Sequence, residues 1–184
     1  MKPYVPSCEE EARYLAAYDA SKYQNPAVTA DVALFGREGD ALFLLLIRRG
    51  GYPYKGYCAL PGGFIDIAES VPVGAARELL EETGVAGARL VPSGPGGIFS
   101  LEVLTVDGHE KRGRYVGSHL HLNVTYLAVA SPEEPLRVKP DENSGVRWVP
   151  LEDAIALSTE PWIRERIYRK LIDKLKGLNK DLLS

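Results

Sequence analysis

Three acids crowd one face of a short helix. Within the segment 71–83, Glu78, Glu81 and Glu82 stand at i, i+3 and i+4, a spacing that brings side chains out on one side of a helix, where each like-charged pair weakens it by about 0.2–0.5 kcal/mol. The helix is nonetheless well framed. Ser70 stands at the N-cap position, Pro72 falls in the first turn and Gly84 supplies the stop. Gly74 inside it costs roughly 1 kcal/mol against alanine, so something beyond local propensity must hold the segment helical. The preceding run 59–64, ALPGGF, has two glycines that permit bends other residues resist. Hard dications such as Mg²⁺ take oxygen ligands and keep several waters, so three carboxylates facing a glycine-rich bend are a candidate site for one or more of them. A solvated face is the ordinary reading of an isolated acidic pattern; the wider spacing given below argues against it.

The rest of the chain offers such a helix a sheet to pack on. Apolar runs at 28–35 and 41–47 flank Gly36-Arg37-Glu38-Gly39-Asp40 and predict a hairpin. The unbroken LFLLLI predicts a strand covered on both faces, and therefore helices on either side of the sheet. The run 98–106 alternates well enough to be a strand. In 119–126, HLHLNVTY, the polar His119, His121, Asn123 and Thr125 point one way and Leu120, Leu122, Val124 and Tyr126 the other. A short strand is expected at 146–149, a helical turn at 151–157, and a helix over 161–176 stopped by Gly177, with Ile163, Ile167, Leu171 and Leu175 as its buried stripe. At the other end, Ser7 and Glu10 form a capping box opening a short helix to about residue 18, with Leu15 and Tyr18 as its apolar edge. No repeat or linker divides the chain, so one domain over 1–184 is expected, with accessory helices within 1–25 and 158–184.

Composition narrows the partners. Twenty-two Lys plus Arg face 25 Asp plus Glu, a net charge of −3, so the basic footprint that grips phosphates of duplex nucleic acid is missing and no nucleic-acid partner is expected. Cys8 and Cys58 form neither a zinc pair nor a disulfide framework, which fits a reducing cytoplasm. The longest apolar run, 41–47, is too short for a bilayer, and the acidic N-terminus lacks a signal peptide's apolar stretch, so no membrane association is expected.

The acids belong to a longer pattern. Gly63, Glu69, Arg77, Glu78, Leu79, Glu81, Glu82, Gly84 and Val85 all match G-x5-E-x7-R-E-U-x-E-E-x-G-U, where U is aliphatic, so seven fixed identities and two aliphatic positions are met. This stretch resembles the signature of the Nudix hydrolase superfamily. The segments IRRGGYPYKGYCALPGG and VRWVPLED also resemble Nudix domains, and YDASKYQNPAVTADVALF is similar to the opening of those related to ADP-ribose pyrophosphatases and to Nudix-related regulators of NAD metabolism. Cys58 departs from the tryptophan common at that position in such relatives, and it is taken as a core residue.

The resemblance implies an α/β fold, an α/β/α sandwich with a mixed sheet, and hydrolysis of a nucleoside diphosphate linked to a second moiety, with Mg²⁺ or Mn²⁺ as cofactor. ADP-ribose is the first substrate expected and a canonical or modified nucleoside triphosphate the second; a nucleotide-sensing module without turnover is the competing class. Only 34 residues follow Pro150, and on that count a separate DNA-reading domain is not expected. By carry-over, Glu78, Glu81 and Glu82 are metal ligands, with the carbonyl of Gly63 as a further one. Arg77 belongs to the catalytic motif and is expected to brace the loop through Glu69 rather than touch substrate. The general base is left open between Glu81, Glu82, Glu142 and Glu110. Arg48, Arg49 and Lys55 are candidates for phosphate contact, or else solvated surface. His119 and His121 are candidates for ribose, base or phosphate. Tyr52, Tyr54, Tyr57 and Trp148 either stack on a nucleobase or pack. A homodimer through the N-terminal helix is left open.

Overall fold

A computed structural model of the chain describes residues 5–17, 26–51, 54–111, 113–158 and 163–176. The expectations for Tyr18, Tyr52, Pro161 and Gly177, and for the side chains of Leu15, Glu110 and Ile163, lie outside the described residues. The strands are β1 (Ala27–Glu38), β2 (Ala41–Arg49), β3 (Cys58–Ala59), β4 (Gly62–Phe64), β5 (Arg89–Leu90), β6 (Ile98–Val106), β7 (His109–Lys111), β8 (Arg114–Val116), β9 (His119–Val129) and β10 (Asn143–Pro150). The helices are α1 (Glu9–Ala17), α2 (Val71–Thr83), α3 (Leu151–Leu157) and α4 (Arg169–Lys176). The C-terminal helix expected over 161–176 is divided: a π-helical turn, Ile163–Tyr168, precedes α4.

The main sheet runs β10-β2-β1-β9-β5, with β3 on β2, β4 on β1 and β6 on β9. It is mixed, because β1 and β9 run parallel from Ala27↔His121 to Phe35↔Val129 while the other pairs are antiparallel. The hairpin is tighter than the sequence implied: Glu38 pairs with Ala41 across Gly39-Asp40 alone, and Gly39 takes the positive φ of 58° that such a two-residue turn needs.

Alternation along the strands builds two cores. Ala30, Val32, Leu34, Leu45, Val124 and Tyr126 pack against Ala75 and Leu79 of α2. Ala33, Phe35, Leu44, Leu46, Leu127 and Val149 pack on the other face against Ala154 of α3, Ile167, Tyr168, and Leu171 and Leu175 of α4. The expected sandwich is therefore observed, and the buried run Leu44–Ile47 of β2 is covered from both sides as LFLLLI required. Lys174 Nζ donates to the Phe99 carbonyl and Lys170 pairs with Glu102, fastening α4 to β6.

Three local expectations are corrected. Ser7 pairs with Glu11, not Glu10, and without the reciprocal bond of a capping box: the Glu11 carboxylate accepts from both the Ser7 amide and hydroxyl. Ser70 marks the start of α2, but its side chain makes no capping bond; the Gly74 amide reaches its carbonyl instead. Leu120 is exposed although its parity placed it inward, because β9 outruns β1, whose pairing begins at His121. On the opposite parity His119 and His121 are half-buried. Asn123 and Thr125 are buried, and Thr29 Oγ1 donates to Asn123 Oδ1 while Asn123 Nδ2 donates to Asp31 Oδ2.

Glycines set how closely the pieces approach. A Cβ on Gly74 would lie 2.5 Å from Ile65 Cδ1 and 2.6 Å from Glu69 Oε2, so the helix gives up propensity to admit the Glu69 loop. A Cβ on Gly62 would lie 2.3 Å from the Ala30 carbonyl oxygen, backbone that cannot swing aside, and φ there is 156°. Gly62→Ala is expected to destabilise the fold by about 2–3 kcal/mol, read as a lowered urea midpoint; an unchanged midpoint would mean that β4 does not need this approach to β1.

Candidate metal and phosphate site

The acid ridge of α2 faces β4 and the loop before β10. Gly84 ends the helix in the left-handed conformation, φ 78°, with its N–H on the Leu80 carbonyl, and the last turn is tied down from elsewhere in the chain. The Arg137 amide donates to the Thr83 carbonyl at 2.8 Å and Asn143 Nδ2 to the Glu82 carbonyl at 2.8 Å, satisfying C-terminal carbonyls that a helix leaves open.

Each ridge acid has a different donor. Glu82 is 5% exposed, and its Oε2 accepts from the Gly62 amide at 2.8 Å. Glu78 is buried beneath Gly63, where a Cβ would come within 2.7 Å of its carboxyl carbon, and it takes Arg77 Nη1 at 2.8 Å. Glu81 is more exposed, with Lys139 Nζ 2.7 Å from its Oε2. The brace anticipated between Glu69 and Arg77 is a two-pronged one: Nε and Nη2 each donate to a Glu69 oxygen at 3.0 Å, and Nη2 also reaches the Phe64 carbonyl.

The charges pull their neighbours in opposite directions. Burial pushes the Glu82 carboxyl up to about 7; the Gly62 amide opposes this, while Glu78, Glu142 and Asp31 push it further up. The Lys139 hydrogen bond holds Glu81 below the usual carboxylate range, and Arg77 does the same for Glu69. Arg77 and Lys139 are themselves raised, chiefly by Glu69 and Glu81 respectively.

Among the described residues no three carboxylates already converge as a metal cluster. The donors present nevertheless suit a hard dication: Glu78, Glu81 and Glu82 are all oxygen ligands, and Glu82 is buried beside the further acids Glu78, Glu142 and Asp31.

The other candidate residues are dispersed. Glu142 is joined to the ridge through Lys139, which stands 2.9 Å from its Oε1. Arg48 alternates with Leu44 and Leu46 on the α3 face, donates to the Gly56 carbonyl, and lines a cleft of about 530 Å³ with Tyr57, Cys58 and Ser144. Cys58 is thus half-buried at the edge of the core rather than within it. Lys55 is exposed between β2 and β3. His119 and His121 face one another with Nε2 atoms 3.1 Å apart, and His121 meets the Phe64 ring edge-on at 5.2 Å, which sets the pair beside β4. Tyr54 stacks on Tyr57 at 6.1 Å between centroids. Trp148 packs into the α2-side core, so packing, not stacking on a base, describes it.

Sequence reasoning passed over Asp31, Lys139 and Asn143. Asp31 had a signal, a lone acid inside the apolar run of β1; the other two had none, because their partners lie 58 and 61 residues away.

The raised Glu82 carboxyl has a consequence for stability. The folded chain binds this proton more tightly than the unfolded one, so the group weakens the fold as pH rises from about 4.5 through 7. In chelator, Glu82→Gln is expected to gain on the parent by about 2 kcal/mol between pH 4.5 and 8, measured by urea unfolding; a pH-independent difference would mean that Glu82 ionises normally.

Comparison with known proteins agrees with this architecture. The chain is 34% identical over 150 residues, 80% of its length and 54% of the relative's, to the ADPR responsive transcriptional repressor NtrR of Acinetobacter baylyi. It is 44% identical over 63 residues, 34% of the chain and 35% of the relative, to an ADP-ribose pyrophosphatase of Methanocaldococcus jannaschii. The chain thus spans about half the length, or less, of these curated relatives. The NUDIX domain of Shewanella oneidensis NrtR, solved with ADP ribose, superposes with a TM-score of 0.66 at 25% identity, covering 90% of this chain and 98% of that one. No helix among the described residues is long and apolar enough to cross a membrane. With a braced glutamate helix set against a glycine strand, and the NUDIX domain model matching residues 25–171, the chain belongs to the NUDIX domain family.

Proposed function

We propose that the chain is a divalent-metal-dependent pyrophosphohydrolase that splits a nucleoside diphosphate linked to a second moiety, with ADP-ribose as the first substrate to be tried. One observation carries this reading: three glutamates crowd a single helix face, with Glu78 packed under Gly63 and Glu82 bonded to the Gly62 amide of β4. Glu78, Glu81 and Glu82, with the Gly63 carbonyl, would hold Mg²⁺ or Mn²⁺. When bound, the ion neutralises diphosphate oxygens and lowers the pKa of water. In the hydrolysis itself, water oxygen attacks one phosphorus, the bridging P–O bond breaks, and the water proton passes to a carboxylate acting as base.

The protein's own part is positional. Arg77 grips Glu69 and the Phe64 carbonyl, so the bend keeps its shape while Glu78 is held from the side. A fixed bend of this kind saves the motion otherwise needed to align substrate. Glu142, joined to the ridge through Lys139, is the base outside the helix in this reading. Arg48, Lys55, His119 and His121 remain proposed contacts to the substrate's phosphates or ribose.

A second reading draws on a different observation, the likeness to a protein named as an ADPR responsive transcriptional repressor. In that reading the domain binds an ADP-ribose-like ligand without turnover and serves a nucleic-acid-binding protein, so the expectation of no nucleic-acid partner is not carried further.

Release of nucleoside monophosphate from ADP-ribose, dinucleoside polyphosphates and nucleoside triphosphates, followed by chromatography with Mg²⁺, Mn²⁺ or chelator, separates these readings. Metal-dependent release of AMP from ADP-ribose is expected. Binding of ADP-ribose with no product under any metal would replace the enzyme by the sensor. Glu82→Gln is expected to lower turnover about a hundredfold or more while the circular dichroism spectrum stays that of the parent; equal turnover would move catalysis away from the ridge.

A further inference from the structure

Of the three ridge acids, only Glu81 takes its cation from a distant part of the chain. Glu78 is held by its own helix through Arg77, and Glu82 by a neutral amide. Lys139 Nζ, by contrast, bridges Glu81 at 2.7 Å and Glu142 at 2.9 Å. This lysine does not swing from a loose loop. Its amide donates to Asn143 Oδ1, its carbonyl accepts from the Glu142 and Asn143 amides at 2.9 and 2.8 Å, and the loop is pinned to α2 by Asn143 on the Glu82 carbonyl and Arg137 on the Thr83 carbonyl. Those bonds hold the main chain whether or not the ammonium touches Glu81.

Two consequences follow from the chemistry of the pair. An ammonium within hydrogen-bond reach of Glu81 occupies one of its oxygens and repels any dication approaching that carboxylate. Lysine is also a compact charge on a flexible stem, and Glu142 already offers it a second partner, so it can leave Glu81 without moving the backbone.

We propose that Lys139 is a resident counter-ion of Glu81 that competes with the divalent cation, so that metal loading drives its ammonium onto Glu142 alone and Lys139 sets the affinity of the ridge for metal. This rests on the reading of the ridge as a metal site. Lys139 is a positioning residue in this scheme, acting through Glu81 and keeping the ridge paired while metal is absent. It also couples loading to the state of Glu142, since the base proposed outside the helix gains the whole of the lysine's charge as metal binds.

Mn²⁺ binding to the full chain, stripped with chelator and followed by calorimetry or by the electron paramagnetic resonance signal of free Mn²⁺, tests this without substrate. Lys139→Gln is expected to bind Mn²⁺ about five- to tenfold more tightly than the parent, and Lys139→Arg, which keeps the charge, within about twofold of it. In a Glu81→Gln background the gain from Lys139→Gln is expected to shrink below about twofold, because the pair it removes is already broken. Unchanged or weaker binding by Lys139→Gln overturns the proposal, as does a full gain that persists without Glu81. A parent that binds Mn²⁺ while Lys139→Gln gains nothing leaves the hydrolase reading intact and removes only the lysine's role. A parent that binds no Mn²⁺ at millimolar concentration removes both.

Discussion

The close approach of a glycine-lined strand to the acidic face of α2 is the contact on which everything else in the site depends. Gly62 and Gly63 have no side chains to fill the gap, so the Glu78 carboxylate packs too close to Gly63 to admit a Cβ and the Gly62 amide reaches Glu82 directly. Gly74 does the corresponding service on the helix, making room for Ile65 and Glu69. Buried carboxylates are stable only when paired or hydrogen-bonded, and the chain meets this with one guanidinium, one ammonium and one amide. Burial of Glu82, reinforced by the charges of Glu78, Glu142 and Asp31 and only partly offset by the Gly62 amide, holds its proton to about pH 7.

The remainder of the fold keeps that contact rigid. β1 joins the hairpin partner β2, the glycine strand β4 and the parallel strand β9, so the bend is built on the centre of the sheet rather than on an edge. Helices cover both faces, and the core on the α2 side fixes that helix relative to β1 and β9. The loop before β10 is then tied to the end of α2 by bonds to two successive carbonyls. Backbone rigidity and side-chain freedom are thereby separated: the strands and loop stay in place while the ion pairs of Glu81 are able to exchange partners.

Much of this is legible in the sequence. The helix 71–83, both strands of the hairpin, the double-sided burial of β2 and the glutamate pattern rest on spacings within a few residues, and local spacing survives in a sequence. The failures were few and local: Ser7 pairs with Glu11 rather than Glu10, and Leu120 overran the strand that would have covered it, while the polar side of β9 meets polar partners, Asn123 bonding to Thr29 and Asp31 on the neighbouring strand. Trp148, equally open to either role by composition, went to the core.

By itself the sequence determined which residues would form the acidic helix, that a bend of glycines would precede it, and that a sheet covered on both faces would carry it. Those features follow from periodicity and backbone sterics, which act between neighbours along the chain. Tertiary structure alone decided the partners that lie far apart along the chain. Lys139 meets Glu81 across 58 residues, Asn143 meets the end of α2 across 61, and Thr29 meets Asn123 across 94. Coulombic and hydrogen-bond partners are selected by distance in space, and no spacing along the chain encodes that distance.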